Sequence, residues 1–119
     1  AQIVRLLDYI YRTREIAYEL IPSLGVAGAS GTVRKRMTSD LVHHKVRVKT
    51  GTLTGVTALS GYVMSRDREV IAFTVVANGL KVSSRRASAV IDRIAEALSG
   101  LPLEGGPTTL SKPLVRGKP

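Results

Sequence analysis

Apolar residues recur along this chain at two different periods, and the change of period divides it into elements. Ile3, Leu6, Leu7 and Ile10 share one face at helical spacing while Arg5, Asp8 and Arg12 fall on the other, which predicts a helix over about residues 1 to 12. A second short helical run covers about residues 14 to 20 and ends near Pro22, because the residue before a proline is pushed toward an extended conformation. Residues 23 to 31 hold three glycines in nine positions and read as a loop. A short helix over about residues 32 to 37 is expected to follow, capped by Ser30 or Thr32, with its basic side exposed.

From Lys45 the period becomes two. Val46 and Val48 fall on one side and Arg47 and Lys49 on the other, the mark of a strand with one buried face. Gly55 separates this strand from a second over residues 56 to 64, and the polar run Ser65-Arg66-Asp67-Arg68 turns the chain into a third over residues 69 to 78. The expected arrangement is an antiparallel three-stranded meander. The third strand is apolar at nearly every position, which predicts that it lies between two covering layers. Ser83 or Ser84 can cap a closing helix whose apolar stripe runs through Ala87, Val90, Ile91, Ile94, Ala95 and Leu98 and stops at Gly100. That helix is expected to cover one sheet face. Residues 100 to 119 contain four of the five prolines and four of the eleven glycines without periodicity, and read as a disordered basic tail.

Composition narrows this picture. With 119 residues the chain has room for one small domain, and with five aromatic residues and no Trp its core must be built from Val, Ile, Leu and Ala. The absence of Cys excludes disulfides and thiolate chemistry. The formal net charge of +9 raises the possibility of an anionic partner. The densest basic groups, Arg34-Lys35-Arg36 and Arg85-Arg86, lack interleaved aromatic residues, and no helix-turn-helix, zinc-finger or RNP-type pattern occurs, so specific nucleic-acid recognition is not expected. No apolar run approaches the roughly 20 residues that span a bilayer, and the first residues lack the layout of an export signal. His43-His44 is set aside as a metal site, because neighbouring residues rarely share one ion and the sequence makes no third ligand obvious. Asp67 and Glu69 read as solvated turn charges, Asp92 and Glu96 as the outer face of the last helix, and Asn78-Gly79 as the end of a strand.

The chemically distinctive segment is Lys49-Thr50-Gly51-Thr52-Leu53-Thr54-Gly55, which enters on a predicted strand. Lys-Thr-Gly on a strand is one of three elements of the penicillin-recognising serine enzymes, beside Ser-x-x-Lys and a Ser-x-Asn-type element. Its context extends the match. Ser23-Leu24-Gly25-Val26-Ala27-Gly28 and Gly31-Thr32 precede it, and Ala58-Leu59-Ser60-Gly61-Tyr62 follows. In this order the segments resemble the C-terminal part of the high-molecular-weight D-Ala-D-Ala carboxypeptidase and endopeptidase family, peptidase family S13, across about residues 1 to 99. The resemblance implies an α+β fold, the C-terminal part of a penicillin-binding, serine β-lactamase-like transpeptidase domain, with the meander flanked by N-terminal and C-terminal helices.

For the site, the resemblance implies that Lys49 and Thr52 are catalytic, and that Thr50, Gly51 and Thr52 bind substrate. Lys49 would raise the positive potential beside a nucleophilic serine and assist proton transfer. Thr50 would offer its hydroxyl to the substrate's terminal carboxylate. Gly51, lacking a side chain, would let the substrate lie against the strand, and Thr52 would contribute a backbone N–H to the oxyanion hole. The implied partners are peptidoglycan stem peptides and β-lactams, with no cofactor and no metal. The implied location is periplasmic or extracytoplasmic.

No serine in the sequence begins Ser-x-x-Lys, and the only asparagine, Asn78, is not part of a Ser-x-Asn. Since the family carries both elements upstream of the opening helix, the expectation is a chain truncated on its N-terminal side and inactive alone. It would work with a missing N-terminal portion or a partner chain that brings the serine. The competing expectation is a non-catalytic basic module that binds an anionic polymer or a protein partner.

Overall fold

The computed structural model describes residues 2–39, 42, 44–79, 81 and 83–101. In chain order the elements are α1 (Gln2–Arg12), α2 (Arg14–Ser23), β1 (Gly25–Val26), a single 3₁₀ turn (Gly31–Val33), β2 (Val46–Leu53), β3 (Val56–Met64), β4 (Val70–Asn78) and α3 (Ser84–Ser99). The strands form one antiparallel sheet in the order β1-β2-β3-β4. The meander is therefore as expected, with a fourth, two-residue strand added at its edge.

Alternation along the strands builds the core. Val46 and Val48 of β2 stand opposite Val63 and Gly61 of β3, and Gly61 and Leu59 stand opposite Phe73 and Val75 of β4, so these residues share one sheet face. Ile91, Ala95 and Leu98 of α3 close over that face in a single buried cluster. Leu59 and Ile91 are fully buried, and each contributes about 1.5–3 kcal/mol of apolar transfer free energy. α3 begins where Ser83 Oγ accepts from the Arg86 backbone N–H at 3.3 Å and ends at Gly100, as the sequence predicted. Val90, counted in the predicted apolar stripe, is 48% exposed at its margin.

The opposite face carries Arg47, Lys49 and Gly51 of β2 with Tyr62, Ser60 and Ala58 of β3. α1 covers only one end of this face, where the Tyr62 hydroxyl donates to the Leu7 carbonyl at 2.6 Å and the rings of Tyr11 and Tyr62 lie 5.8 Å apart. β4 is therefore not sandwiched along its length: Phe73, Val75 and Ala77 are buried on the core side, but Val76 on the other is 43% exposed. Leu7 and Ile10 bury against the sheet while Ile3 and Leu6 of the same helix stay exposed.

Two local expectations are corrected. α2 runs on to Ser23 with Pro22 inside its last turn. That late in a helix a proline forfeits a single backbone bond, and the Leu24 N–H caps the end on the Ile21 carbonyl at 3.2 Å. Downstream, only Gly31–Val33 winds into a helix, and Ser30, although it precedes that turn, does not cap it; its hydroxyl accepts from the Val26 N–H at 3.1 Å instead. Of the basic side, Arg34 and Lys35 are exposed but Arg36 turns inward. From residue 102 onward the tail, like His43, lies outside the described residues.

Gly61 sets the spacing of the two central strands. A Cβ at this position would lie 2.1 Å from the Arg47 carbonyl oxygen and 2.8 Å from Val48 Cα, so β2 and β3 approach here to a distance that only glycine allows.

Candidate functional site

β2 carries the whole predicted site. Its pairing with β3 is continuous, residue for residue, from Val46↔Val63 to Leu53↔Val56, so Gly51 marks no bulge. The turn that follows needs only Thr54 and Gly55, the latter at φ 73°. On the other edge β1 pairs only with Arg47 and Val48. Among the described residues, no strand pairs with the outer edge of β2 from Lys49 onward.

Alternation then distributes the side chains. Lys49 lies on the face away from the core, exposed, with its ammonium group donating to the carbonyl of Thr50. Opposite it stands Ser60, whose hydroxyl is engaged with that of Thr74 at 2.7 Å, giving a polar row Lys49–Ser60–Thr74 across three strands. Gly51, on the same face, is next to Ala58; an added Cβ would meet only Ala58 Cβ, at 3.9 Å, so the fold itself does not require glycine there. Thr52 is exposed near the end of the strand.

Thr50 points the other way and is half-buried. Its hydroxyl lies 2.8 Å from that of Thr32, in the middle of the 3₁₀ turn. That turn is tied down on several sides. Val33 is fully buried, the Gly28 N–H donates to both the Val33 and Arg36 carbonyls at 3.1 and 3.0 Å, and Arg36 forms a two-pronged ion pair with Asp92 of α3 at 2.6 and 3.0 Å. The side chains of Arg36 and Asp92 keep 24% and 16% of their exposure. Asp92 is thus not on the outer face of α3, as its charge had suggested. It sits one position after the fully buried Ile91, at the margin of the apolar stripe, where a helix can turn a carboxylate inward to a partner.

The structure therefore brings Lys49, Thr50, Gly51 and Thr52 together on one open strand edge, and adds Thr32 beneath Thr50. Sequence reasoning singled out Thr32 only as one half of a Gly-Thr pair and as a possible helix cap. Among the described residues no group of three or more His, Cys, Asp or Glu side chains could hold a metal ion, and no helix is long and apolar enough to cross a membrane. A depression beside α1 and α2 is lined by Tyr11, Ile21, Arg47, Tyr62 and Met64 among others, and includes none of residues 49 to 52.

Comparison with known proteins gives a consistent set of relatives. The model of the D-Ala-D-Ala carboxypeptidase 3 (S13) family matches residues 1–101. The chain is 44% identical over 82 residues to a D-alanyl-D-alanine carboxypeptidase of Actinomadura sp. (strain R39), a span of 65% of this chain and 15% of that protein. It is 36% identical over 83 residues to carboxypeptidase DacB of Mycolicibacterium smegmatis, covering 66% of this chain and 17% of the relative. Among solved structures, penicillin binding protein 4 (dacB) from Haemophilus influenzae superposes over 82% of this chain and 23% of its own, with a TM-score of 0.68 and 26% identity. The same protein complexed with a novel β-lactam gives the same score over 83% of this chain. The chain thus spans less than a fifth of the two sequence relatives and about a quarter of the solved chains.

Proposed function

The chain belongs to the D-Ala-D-Ala carboxypeptidase 3 (S13) family, and from that premise we propose that residues 49 to 52 are one wall of a serine acyl-transfer site that cleaves the D-Ala-D-Ala end of peptidoglycan stem peptides. The observation that carries the reading is the unpaired outer edge of β2, which opens at Lys49 and presents Lys49, Gly51 and Thr52 toward solvent. An extended peptide can add to such an edge by main-chain hydrogen bonds, and the lack of a side chain at Gly51 keeps its path clear.

In this reading a serine hydroxyl from a Ser-x-x-Lys element attacks the carbonyl carbon of the penultimate D-Ala. The backbone N–H of Thr52 and that of the serine stabilise the oxyanion, the C–N bond breaks, and D-alanine leaves with a proton on its amine. Water then hydrolyses the serine ester and regenerates the hydroxyl. Lys49 supplies positive potential beside the serine and moves its ammonium group from the Thr50 carbonyl, a local surface contact, toward the reacting atoms. Thr50 donates its hydroxyl to the substrate's terminal carboxylate.

No Ser-x-x-Lys occurs in these 119 residues, so the nucleophile comes from another segment of the complete enzyme. The Lys49 face has room for it. Beyond the rows covered by α1, Leu53 is 76% and Val76 43% exposed, an apolar surface suited to packing against the part that carries the serine. We further propose that residues 1 to 99 form the C-terminal portion of the penicillin-binding domain with the tail beyond them a separate basic segment, and that the enzyme works outside the cytoplasmic membrane, where its polymer lies.

The test is intact-mass spectrometry with a labelled penicillin, using this chain alone and together with a polypeptide that bears Ser-x-x-Lys and Ser-x-Asn. An adduct is expected only in the combined sample, on the added serine, and is lost with Lys49→Ala. No adduct in a well-folded complex would remove the enzymatic reading and leave the non-catalytic basic module, recognisable by steeply salt-dependent binding to polyanions.

A further inference from the structure

The hydroxyls of Thr32 and Thr50 lie 2.8 Å apart at the surface, each able to donate to the other. An exposed hydrogen bond of this kind adds little to stability, yet the turn that carries Thr32 is held from several directions. Val33 is anchored in the core, the Gly28 N–H donates to the Val33 carbonyl of the turn and to the Arg36 carbonyl just after it, and the Arg36–Asp92 pair ties that following segment to α3. At Gly31, which adopts φ 67°, a Cβ would lie 2.9 Å from Gly25 Cα, so the turn also presses against β1. The frame is anchored at several points and what it presents at the strand is one hydroxyl.

Resting on the proposed acyl-transfer site, we infer that Thr32 is a positioning residue for recognition of the substrate's terminal carboxylate. A hydroxyl has one proton and two acceptor sites, so the direction of the bond between the two threonines decides what Thr50 can offer. When Thr32 donates to Thr50 Oγ1, the Thr50 proton is directed away from Thr32 and is available to an anion at the open edge of β2. A carboxylate arriving there selects this direction, because Thr32 to Thr50 to carboxylate is then one chain of donors in which each bond polarises the next. Without the Thr32 hydroxyl, Thr50 has no fixed acceptor contact and its proton samples other rotors.

The inference is tested in the complete enzyme, this segment joined to the part that carries the nucleophile, with Thr32→Val and Thr32→Ser. Valine keeps the shape and removes the donor; serine keeps the donor. Penicillin, which carries a carboxylate, is expected to acylate the Val variant about tenfold more slowly, the size of one well-made hydrogen bond, and the Ser variant at close to the original rate. An arylboronic acid engages the serine nucleophile but has no carboxylate, so its affinity is expected to be the same in all three proteins, as is the melting temperature. Unchanged penicillin acylation in the Val variant would overturn the inference. So would an equal loss of boronic acid affinity or a lowered melting temperature, since either would make the role of Thr32 general or structural. If the unsubstituted enzyme takes no penicillin, the site reading itself fails, a result distinct from these.

Discussion

Replacing Gly61 by alanine separates what the strand needs from what the site needs. Gly61 is on β3, opposite Val48 and adjacent in register to the Lys49–Ser60 pair. The new Cβ would fall 2.1 Å from the Arg47 carbonyl oxygen and 2.8 Å from Val48 Cα, whereas real Cβ atoms do not come closer than 3.0 Å, so β2 must retreat from β3 by about 0.9 Å. Both obstacles are backbone, so no side chain can swing away to absorb the clash. Overpacking on this scale costs about 1–3 kcal/mol, and a displacement near 1 Å of catalytic groups can cost about 10²-fold in rate. Urea unfolding and the rate of penicillin acylation of the complete enzyme are the two assays. The Gly61→Ala variant is expected to lose in both. Gly51→Ala serves as the contrast: its Cβ meets only Ala58 Cβ at 3.9 Å, so the urea midpoint should hold while acylation falls, the methyl standing in the substrate's path. An unchanged midpoint in Gly61→Ala with acylation within about threefold of the original, far from the 10² expected of such a displacement, would refute the idea that this glycine sets the position of β2.

Two further perturbations test the frame around the site. Asp92→Ala strips the partner from the partly buried Arg36 guanidinium; breaking a fully buried pair costs about 3–5 kcal/mol, and the residual exposure of this one scales that to about 2 kcal/mol, read as a melting temperature lower by about 10 °C. A melting temperature that does not move would show that the pair does not hold the 3₁₀ turn to α3. Tyr62 gives a pH test: burial first, and then the charges of Asp8 and Tyr11, raise its phenol above the ordinary value of 10.0. The folded state then holds this proton more tightly than the unfolded chain, so the stabilisation is complete below about pH 10 and is lost as pH rises beyond it. Tyr62→Phe, which also gives up the bond to the Leu7 carbonyl at a cost of about 1 kcal/mol, is expected to flatten the alkaline limb of a melting-temperature profile; an identical limb in both proteins would contradict the assignment.

What was legible in the sequence is what depends on neighbours along the chain. The alternation of Val46 and Val48 with Arg47 and Lys49 is a consequence of strand geometry, and the buried valines and exposed cations follow it. Ser83 and Gly100 bound α3 because capping is chemistry local to a helix end. β1 could not be seen in this way, since two residues carry no period and Gly25–Val26 is a strand only because Val48 and Arg47 are beside it. The contacts that complete the candidate site join residues distant in sequence: Thr32 meets Thr50 across 18 positions and Arg36 meets Asp92 across 56. Nothing in a triplet of basic residues says which of Arg34, Lys35 and Arg36 turns inward; that depends on where α3 returns.

The open edge of β2 also has a consequence for any second copy of the protein that approaches it. A row of unpaired backbone groups is indifferent to the identity of the strand that joins it, so the edge that can take a peptide can equally template a sheet running through two molecules. Lys49 lies on that edge and Arg47 and Lys45 precede it, all exposed, so two such edges brought together would set cation against cation. The repulsion is electrostatic and therefore weakens with ionic strength, since a Debye length of about 10 Å at 0.1 M shrinks to about 3 Å at 1 M. The strand's positive charge thus acts as a guard against edge-to-edge aggregation, strongest in dilute salt, and a peptide seated on β2 would relieve it of that duty by filling the edge.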